Sequence, residues 1–235
     1  MKKLLALLLA LVMALSIVAC GGDEDKTGEI TNKETTTNES DNVEGEISEQ
    51  EAEVPVIDTI GEAEGNTYEN AFLGFGFTLP EGWSFYSKDQ INELNSITQD
   101  MLDEDIAKQL EEANVIHDMY ALDQYGNSVN IVMEKISAIA SIAIDEKTYA
   151  EASAQQLPEA LKQIGLDDVS TEITNTTFNE AEHVSIDVVG TAEGFSLYEK
   201  IICIKTGQYM VCVTVATTHE NTIDAVLEYF YSVEK

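Results

Sequence analysis

The sequence predicts an α+β fold for residues 66–235, a single domain in which an antiparallel β-sheet is flanked by helices in an α/β/α layering. Short turns separate most of the predicted strands, and only antiparallel neighbours can be joined by so few residues. Longer segments carry the apolar spacing of amphipathic helices. The 170 residues of this region suit one domain with a sizeable core.

Apolar runs bounded by turn residues define the predicted strands. Those in the first half are Thr67–Asn70, Phe75–Leu79, Val115–Leu122 and Val129–Ile136. Those in the second half are Ser170–Phe178, His183–Val189, Phe195–Lys205 and Gln208–Thr217. The last two carry apolar residues on both faces, which predicts central strands that are covered on both sides.

Helices are predicted over residues 87–113, Glu146–Ile164 and about His219–Val233. Ser87 can cap the first of these, since Gln90 lies three residues on and completes a capping box. Asp145 can cap the second. Pro158 lies inside the second helix and is expected to kink or split it, because proline lacks the N–H that an internal helical position needs.

Cys203 and Cys212 lie on the two predicted strands of the late hairpin. With Thr206 and Gly207 as a two-residue turn, Cys203 faces Met210, and the two cysteines form a diagonal pair on one face. A diagonal pair is too widely separated for an undistorted disulfide. We therefore expect two buried, reduced thiols, whereas a turn longer by two residues would favour a disulfide.

The first twenty residues have the organisation of an export signal. Lys2 and Lys3 precede the uncharged apolar stretch Leu4–Val18, which is typical of a secretory signal peptide. As a helix this stretch would extend roughly 22 Å, less than the hydrocarbon core of about 30 Å, so a permanent membrane span is disfavoured. The sequence IVAC at residues 17–20 resembles the lipobox of bacterial lipoproteins.

The lipobox resemblance implies cleavage before Cys20. Residues 1–19 would then be a lipoprotein signal peptide, and Cys20 would become the lipidated N-terminus of the mature protein. Acyl chains such as palmitate would anchor the protein to the bacterial cell membrane on its extracytoplasmic side. Two chains are needed, since a single acyl chain holds a protein only marginally.

Residues 20–65 are predicted to be an acidic, disordered tether between this anchor and the domain. Residues 21–65 contain fifteen acidic residues against two lysines, and no aromatic residue. Such a segment cannot bury enough apolar surface to offset the entropy lost on ordering it. The tether would hold the domain clear of the membrane.

The charge of the chain excludes one large class of partners. The sequence has 44 acidic residues and 12 lysines, with no arginine, for a formal net charge of −32. A chain this acidic is repelled by nucleic acid. It also lacks the side chain best suited to bidentate recognition of phosphate.

Three short stretches, Tyr68–Asn70, Leu73–Phe75 and Leu79–Trp83, resemble the first hairpin of PsbP/Mog1-like domains. They are also similar to poorly characterised Firmicutes lipoproteins of this general shape, and the similarity would extend over residues 66–235. The resemblance implies an accessory or binding protein without enzymatic activity. It assigns no catalytic residue, metal ligand or cofactor to any position of this chain.

The sequence carries no strong catalytic or metal-binding motif. His183, Ser185 and Asp187 alternate along a predicted strand. They would be spread over about 13 Å with serine in the middle, which is not the order of a nucleophilic triad, so we expect a solvated strand face. His117 and Asp118 are adjacent and would point to opposite faces, which disfavours a shared metal ion.

Aromatic residues are concentrated around the first hairpin. Phe75, Trp83, Phe85 and Tyr86 are candidates for lining a groove between the sheet and the long helix, with core packing as the alternative. The sequence therefore predicts a monomeric, lipid-anchored extracytoplasmic protein with a non-catalytic binding or accessory domain. We expect no cofactor, and an envelope protein or glycan as the partner. The alternative is an envelope enzyme with an unrecognised active site.

Overall fold

The structure is a computed structural model that describes residues 59–99, 101–102, 115–192 and 194–234. The predicted signal peptide, Cys20 and most of the predicted tether lie outside these residues. So does the later part of the helix predicted over residues 87–113. In the described part of the chain, no helix combines the length and the apolar character that a membrane span needs.

The described residues form eleven strands and four helices. The strands are β1 (Glu62–Glu64), β2 (Thr67–Asn70), β3 (Phe75–Thr78), β4 (Ser84–Phe85), β5 (Val115–Leu122), β6 (Ser128–Lys135), β7 (Asp167–Phe178), β8 (Ala181–Ala192), β9 (Phe195–Thr206), β10 (Tyr209–Thr218) and β11 (Phe230–Ser232). The helices are α1 (Lys88–Gln99), α2 (Ala138–Ala143), α3 (Glu146–Gln163) and α4 (Ile223–Leu227). Every strand predicted from the sequence is confirmed to within three residues at either end.

The strands form two sheets in which all neighbours are antiparallel. The large sheet has seven strands in the order β4-β5-β6-β10-β9-β8-β7, and the small sheet has four in the order β1-β2-β3-β11. All ten residues of β10 are buried. This confirms the prediction that β10 is a central strand covered on both faces.

The large sheet lies in the middle of three layers. On one face, which we call the helical face, α3 packs through residues that include Leu157 and Leu161. The opposite face is covered by the small sheet, which packs through Phe75 and Phe77, and by α4. The predicted α+β class is confirmed, but on the second face a small β-sheet and one short helix stand where the prediction placed a helical layer.

Local signals position the helices as predicted. The Ser87 hydroxyl accepts from the N–H of Gln90, and the Gln90 side chain accepts from the N–H of Ser87, which is a complete capping box. Asp145 caps α3 by accepting from the N–H of Thr148 at 2.7 Å. Helix α3 continues past Pro158 without a break, so of the predicted kink or split, the split is wrong. The apolar side of α3 packs on the sheet. This packing stabilises the helical turn around Pro158, although proline lacks the N–H that the turn would use.

The domain begins earlier than predicted. Residues 59–65 were expected to belong to the tether, yet Thr59 is fully buried and β1 pairs with β2. The N–H of Gly61 donates to Asp118 at 2.8 Å. This short, acidic strand is ordered by contacts with the domain, which its composition does not reveal.

The end of the chain also differs from the prediction. The helix expected over about His219–Val233 is confirmed only over Ile223–Leu227, and Phe230–Ser232 forms the strand β11 instead. Strand β11 pairs with β3, and Phe230 packs edge-on against Phe75 and Phe178. Pairing with an open sheet edge therefore outweighs the helical spacing of this segment.

The late hairpin has a different register from the predicted one. Its two-residue turn is Gly207-Gln208, so Cys203 lies directly opposite Cys212 instead of on the diagonal. Both cysteines are free and buried. The shift by one residue removes the geometric argument against a disulfide, since directly opposed residues lie within the range that a disulfide spans.

Burial should make both thiols unreactive in the folded protein. A hydrogen bond with Cys212 and burial raise the pKa of the Cys203 thiol, and the thiolate is the reactive form. In a Cys20→Ser variant, which has no third cysteine, we expect Ellman's reagent to label neither thiol of the reduced, folded protein and to label both in guanidinium chloride. Rapid labelling without denaturant would contradict the buried positions.

Candidate functional site

Five polar residues share the helical face of the large sheet. Tyr120 lies opposite Asn130, and Asn130 lies opposite Thr214. In the next row, Ser128 and Glu199 lie on either side of Ala216. Because residues two apart on a strand point to the same face, these side chains are neighbours on β5, β6, β10 and β9. We call Tyr120, Ser128, Asn130, Glu199 and Thr214 the polar patch.

The polar patch is buried and unsatisfied. Its residues are between 1% and 4% exposed. In the described part of the chain, none of its side-chain oxygens or nitrogens has a hydrogen-bond partner. Each buried polar group without a partner costs about 1–3 kcal/mol. Native proteins keep such groups rarely, and a group of them points to a bound molecule or to ordered water.

Apolar clusters border the patch on both sides. On one side Ile91 and Leu94 of α1 pack with Tyr120. On the other side α3 packs on β8 and β9. Leu102, which follows α1, packs against both clusters and so connects them on the helical face. The patch is therefore an enclosed polar site within an apolar surround.

The centre of the patch has little side-chain bulk. Ala216 carries only a methyl group between Ser128 and Glu199. Neighbouring strands are about 4.8 Å apart, so these two flanking residues are separated by roughly 10 Å at the backbone.

Burial sets the electrostatics of the patch. It raises the pKa of the Glu199 carboxyl well above its usual range, which favours the neutral form of the carboxyl. Burial also raises the pKa of Tyr120, the nearby Ser128 hydroxyl opposes this effect, and Tyr86 and Glu199 add to it. The patch contains no basic side chain, so it has no means of binding an anion through charge.

A second cluster of buried polar residues surrounds Asp118. It differs from the polar patch because its side chains form hydrogen bonds with one another. The Asp118 carboxylate accepts from Tyr68, from Asn70 at 2.7 Å and from the N–H of Gly61. Asp118 lies at a register shift of β5 against β6, while Tyr68 and Asn70 lie on β2 of the small sheet. This group joins the two sheets, and its role is structural.

His117 lies beside this group but takes no part in it. Burial lowers the pKa of His117 to about 4, so the imidazole is neutral at physiological pH. Among the described residues, no group of three or more His, Cys, Asp or Glu side chains could hold a metal ion.

The four residues of the predicted aromatic groove lie in different places. Phe75 is in the core between the two sheets, and Trp83 and Phe85 pack against the same cluster. Tyr86 lies at the helical face, where its ring contacts that of Tyr120 edge-on at 5.1 Å. Tyr86 is therefore the one residue of this set that lies near the polar patch.

The strand with His183, Ser185 and Asp187 is less solvated than predicted. Ser185 is fully buried, and its hydroxyl bonds to two threonines of β7. Asp187 pairs with Lys200, and His183 contacts Glu146 at 3.0 Å. The three residues have separate partners and form no common site. The expectation of a solvated face is wrong at Ser185, because β7 covers it.

An open groove of about 500 Å³ runs along the small sheet, and Glu62, Glu64 and Glu69 contribute to its lining. Tyr231 donates a hydrogen bond to Glu69 at 3.0 Å. The groove is acidic and solvated, without a buried group that lacks a partner. The polar patch is therefore the stronger candidate for a ligand site.

The polar patch was not predicted from the sequence. One signal in the sequence could have revealed it. Glu199 and Thr214 are polar residues within two strands that were predicted to be covered on both faces. Burial of polar side chains on central strands calls for partners. Which strands lie side by side, and hence which polar residues meet, depends on a strand order that single-strand patterns do not contain.

No protein-family model matches the chain, and no curated protein matches it. Among solved structures, the chain is similar to a Pseudomonas aeruginosa protein of unknown function, with 19% sequence identity and a TM-score of 0.25. The match covers 38% of this chain and 58% of that chain, which is less than two thirds of the other protein. A similarity this low carries no argument about fold or function.

Proposed function

We propose that the protein is a lipid-anchored extracytoplasmic lipoprotein whose α+β domain binds a small polar ligand and is not catalytic. One observation carries the binding role: the five side chains of the polar patch are buried and have no partner in the described part of the chain. A ligand that meets these groups would replace several unmade hydrogen bonds at once. An envelope protein or glycan is a less suitable occupant, because the patch is enclosed.

The proposed location is supported by the lipobox-like residues 17–20 and the acidic segment that follows them. It can be tested by replacing the sulfur that carries the lipid. In cells, the native protein should fractionate with membranes and Cys20→Ser should not, because the serine hydroxyl is not a substrate for thioether formation. Equal membrane association of Cys20→Ser, or an unmodified thiol at Cys20 by mass spectrometry, would contradict the anchor.

We further propose that residues 66–235 are a variant of the PsbP/Mog1-like architecture. The proposal is supported by the hairpin of β2 and β3, whose residues carry the resemblance, and by α3 packed on one face of an antiparallel sheet. An experimental structure tests it through the strand order of the large sheet. A strand order that cannot be superposed on such domains would contradict it.

Binding at the patch can be tested by thermal unfolding of the full chain with a panel of small polar compounds. A ligand of the folded state raises the unfolding temperature by mass action. We expect a compound that stabilises the native protein and stabilises Thr214→Val less, since valine keeps the shape and removes one patch hydroxyl. Thr177→Val, at an exposed position of β7, is the matched control and should respond like the native protein. Equal responses of all three proteins would contradict binding at the patch.

A further inference from the structure

We infer that Cys203 and Cys212 form a disulfide in the mature protein, a covalent bond between the central strands β9 and β10 of the large sheet. Three observations support it: the kind of strand pair that the two residues occupy, the contact between their thiols, and the enclosed position of the pair beneath α3. The geometry is independent of any ligand of the polar patch. Formation of the bond in cells rests on the proposed extracytoplasmic location, because disulfides form and persist in oxidising compartments.

The two cysteines occupy the type of strand pair that a disulfide can span. Thr206 and Tyr209 pair directly and close the two-residue turn of the late hairpin, so they are a hydrogen-bonded pair. Hydrogen-bonded and non-hydrogen-bonded pairs alternate along an antiparallel ladder. The third pair beyond the turn-closing pair is Cys203 with Cys212, which is therefore non-hydrogen-bonded. The Cα atoms of such a pair are about 4.5 Å apart, within the range of roughly 4.4–6.8 Å for disulfides.

The two thiols are in contact in the reduced protein. Cys203 and Cys212 are hydrogen-bonded to each other through their thiols, and both side chains belong to the apolar cluster on the helical face. Val132 and Val184 pair with them on either side in the same row of the sheet, so the thiols lie between apolar side chains. Forming the bond therefore shortens an existing contact and does not require the strands to move.

The enclosed position of the pair determines when the bond forms. Cys203 and Cys212 are between 0% and 2% exposed. Tyr149 of α3 packs in the same cluster, and its hydroxyl accepts from the Cys212 thiol at 3.9 Å. An oxidant cannot reach thiols in this position, so the reaction belongs to the folding chain, before α3 packs on the sheet. A reductant is then excluded from the finished bond in the same way.

The reaction is thiol–disulfide exchange with a disulfide oxidant, which is a small disulfide such as oxidised glutathione or the disulfide of an oxidoreductase. The thiolate of one cysteine attacks a sulfur of the oxidant and displaces its other sulfur, which gives a mixed disulfide. The thiolate of the second cysteine then attacks the protein sulfur of this bond and displaces the remaining sulfur of the oxidant. The two thiols of the protein are oxidised, the oxidant is reduced to two thiols, and both protons pass to these thiols.

The first experiment refolds the full chain carrying Cys20→Ser from guanidinium chloride in a buffer of oxidised and reduced glutathione. We expect a product that is lighter than the reduced chain by the mass of two hydrogen atoms and has no thiol that Ellman's reagent labels in guanidinium chloride. Its midpoint temperature of unfolding should exceed that of the reduced protein by about 5 °C or more, because a cross-link restricts the unfolded chain. A product that keeps both thiols, or carries glutathione on both cysteines, would overturn the inference.

A matched pair of cysteines tests whether the register determines the bond. The double variant Met210→Cys with Cys212→Val moves the second thiol to the position diagonal to Cys203 in the observed register. We expect its equilibrium constant for forming the bond to be lower by about tenfold or more, because a diagonal pair is too widely separated for an undistorted disulfide. Equal formation in the native and diagonal pairs would overturn the inference, because the direct pairing would then have no effect.

The second experiment determines whether the bond is present in the mature protein. Cells are quenched with acid, and free thiols are alkylated in denaturant before mass spectrometry. We expect no alkylation of Cys203 or Cys212 unless a reductant is added first. Alkylation of both cysteines in protein that fractionates with membranes would overturn the inference and leave the proposed location intact. Alkylation of both in protein that stays in the cytoplasm, with an unmodified thiol at Cys20, would overturn both.

Discussion

Glu199→Gln should make the domain more stable at neutral pH, although Glu199 is fully buried. Burial raises the pKa of the Glu199 carboxyl, so the folded state holds a proton that the unfolded state releases above a pKa of about 4.3. Glutamine has nearly the same shape and needs no proton. We therefore expect a higher free energy of unfolding for the variant than for the native protein at pH 7, as measured by urea unfolding.

The gain should depend on pH in a defined direction. Because the folded-state pKa of Glu199 is raised, its contribution to stability is complete below the unfolded-state pKa and is lost as the pH rises. Between the two pKa values, this group lowers the free energy of unfolding by about 1.4 kcal/mol per pH unit. Urea unfolding at pH 5 and pH 8 should therefore show a smaller advantage of Glu199→Gln at pH 5 than at pH 8.

The exposed Glu182 provides the matched control for this measurement. Glu182→Gln makes the same chemical change on β8 outside the patch, so it should leave the stability and its pH dependence unchanged. A Glu199→Gln variant that is less stable than the native protein at pH 8 would show that the carboxyl is ionised and paired in the folded state. A Glu199→Gln variant that gains stability but responds less to a ligand of the polar patch would behave as expected of a ligand site.

Asp118→Ala should cause the largest loss of stability in the domain. The change removes the acceptor shared by Tyr68, Asn70 and Gly61. Asn70 keeps a second acceptor, the carbonyl oxygen of Thr59, but the hydroxyl of Tyr68 and the N–H of Gly61 are left without one. Two orphaned donors cost about 2–6 kcal/mol in total, which urea unfolding can measure directly.

A double-mutant cycle with Tyr68→Phe isolates the bond between the two side chains. Tyr68→Phe alone should cost about 1.5–3 kcal/mol, the range for a hydrogen bond to a charged group. In the Asp118→Ala background the same change should cost much less, because the acceptor is already gone. Additive effects of the two substitutions would show that the phenol and the carboxylate do not interact.

Features encoded by neighbouring residues were predictable from the sequence. The capping box of Ser87 and Gln90, the cap at Asp145 and the positions of the strands all follow from spacing within one segment. The register of the late hairpin did not, because Thr206-Gly207 and Gly207-Gln208 are both acceptable two-residue turns. Packing of whole strands against the sheet selects the second.

Features that depend on distant parts of the chain were not predictable. Strand β11 forms because β3 offers a free edge, and the apolar spacing of Phe230 is compatible with a helix as well as with a strand. The polar patch likewise needs β5, β6, β10 and β9 side by side. Glu199 and Asn130 are far apart in sequence, so the pattern of one strand does not indicate that the other residue is buried in the same patch.

The contact between Gly61 and Asp118 has a mechanical consequence. Residue 59 is where the chain coming from the N-terminus enters the described domain, and β1 is a three-residue edge strand that could peel away under load. The carboxylate of Asp118 ties this point of entry directly to β5 of the large sheet. Tension transmitted along the N-terminal segment would thus reach the seven-stranded sheet through Asp118, and β1 would not carry the whole load.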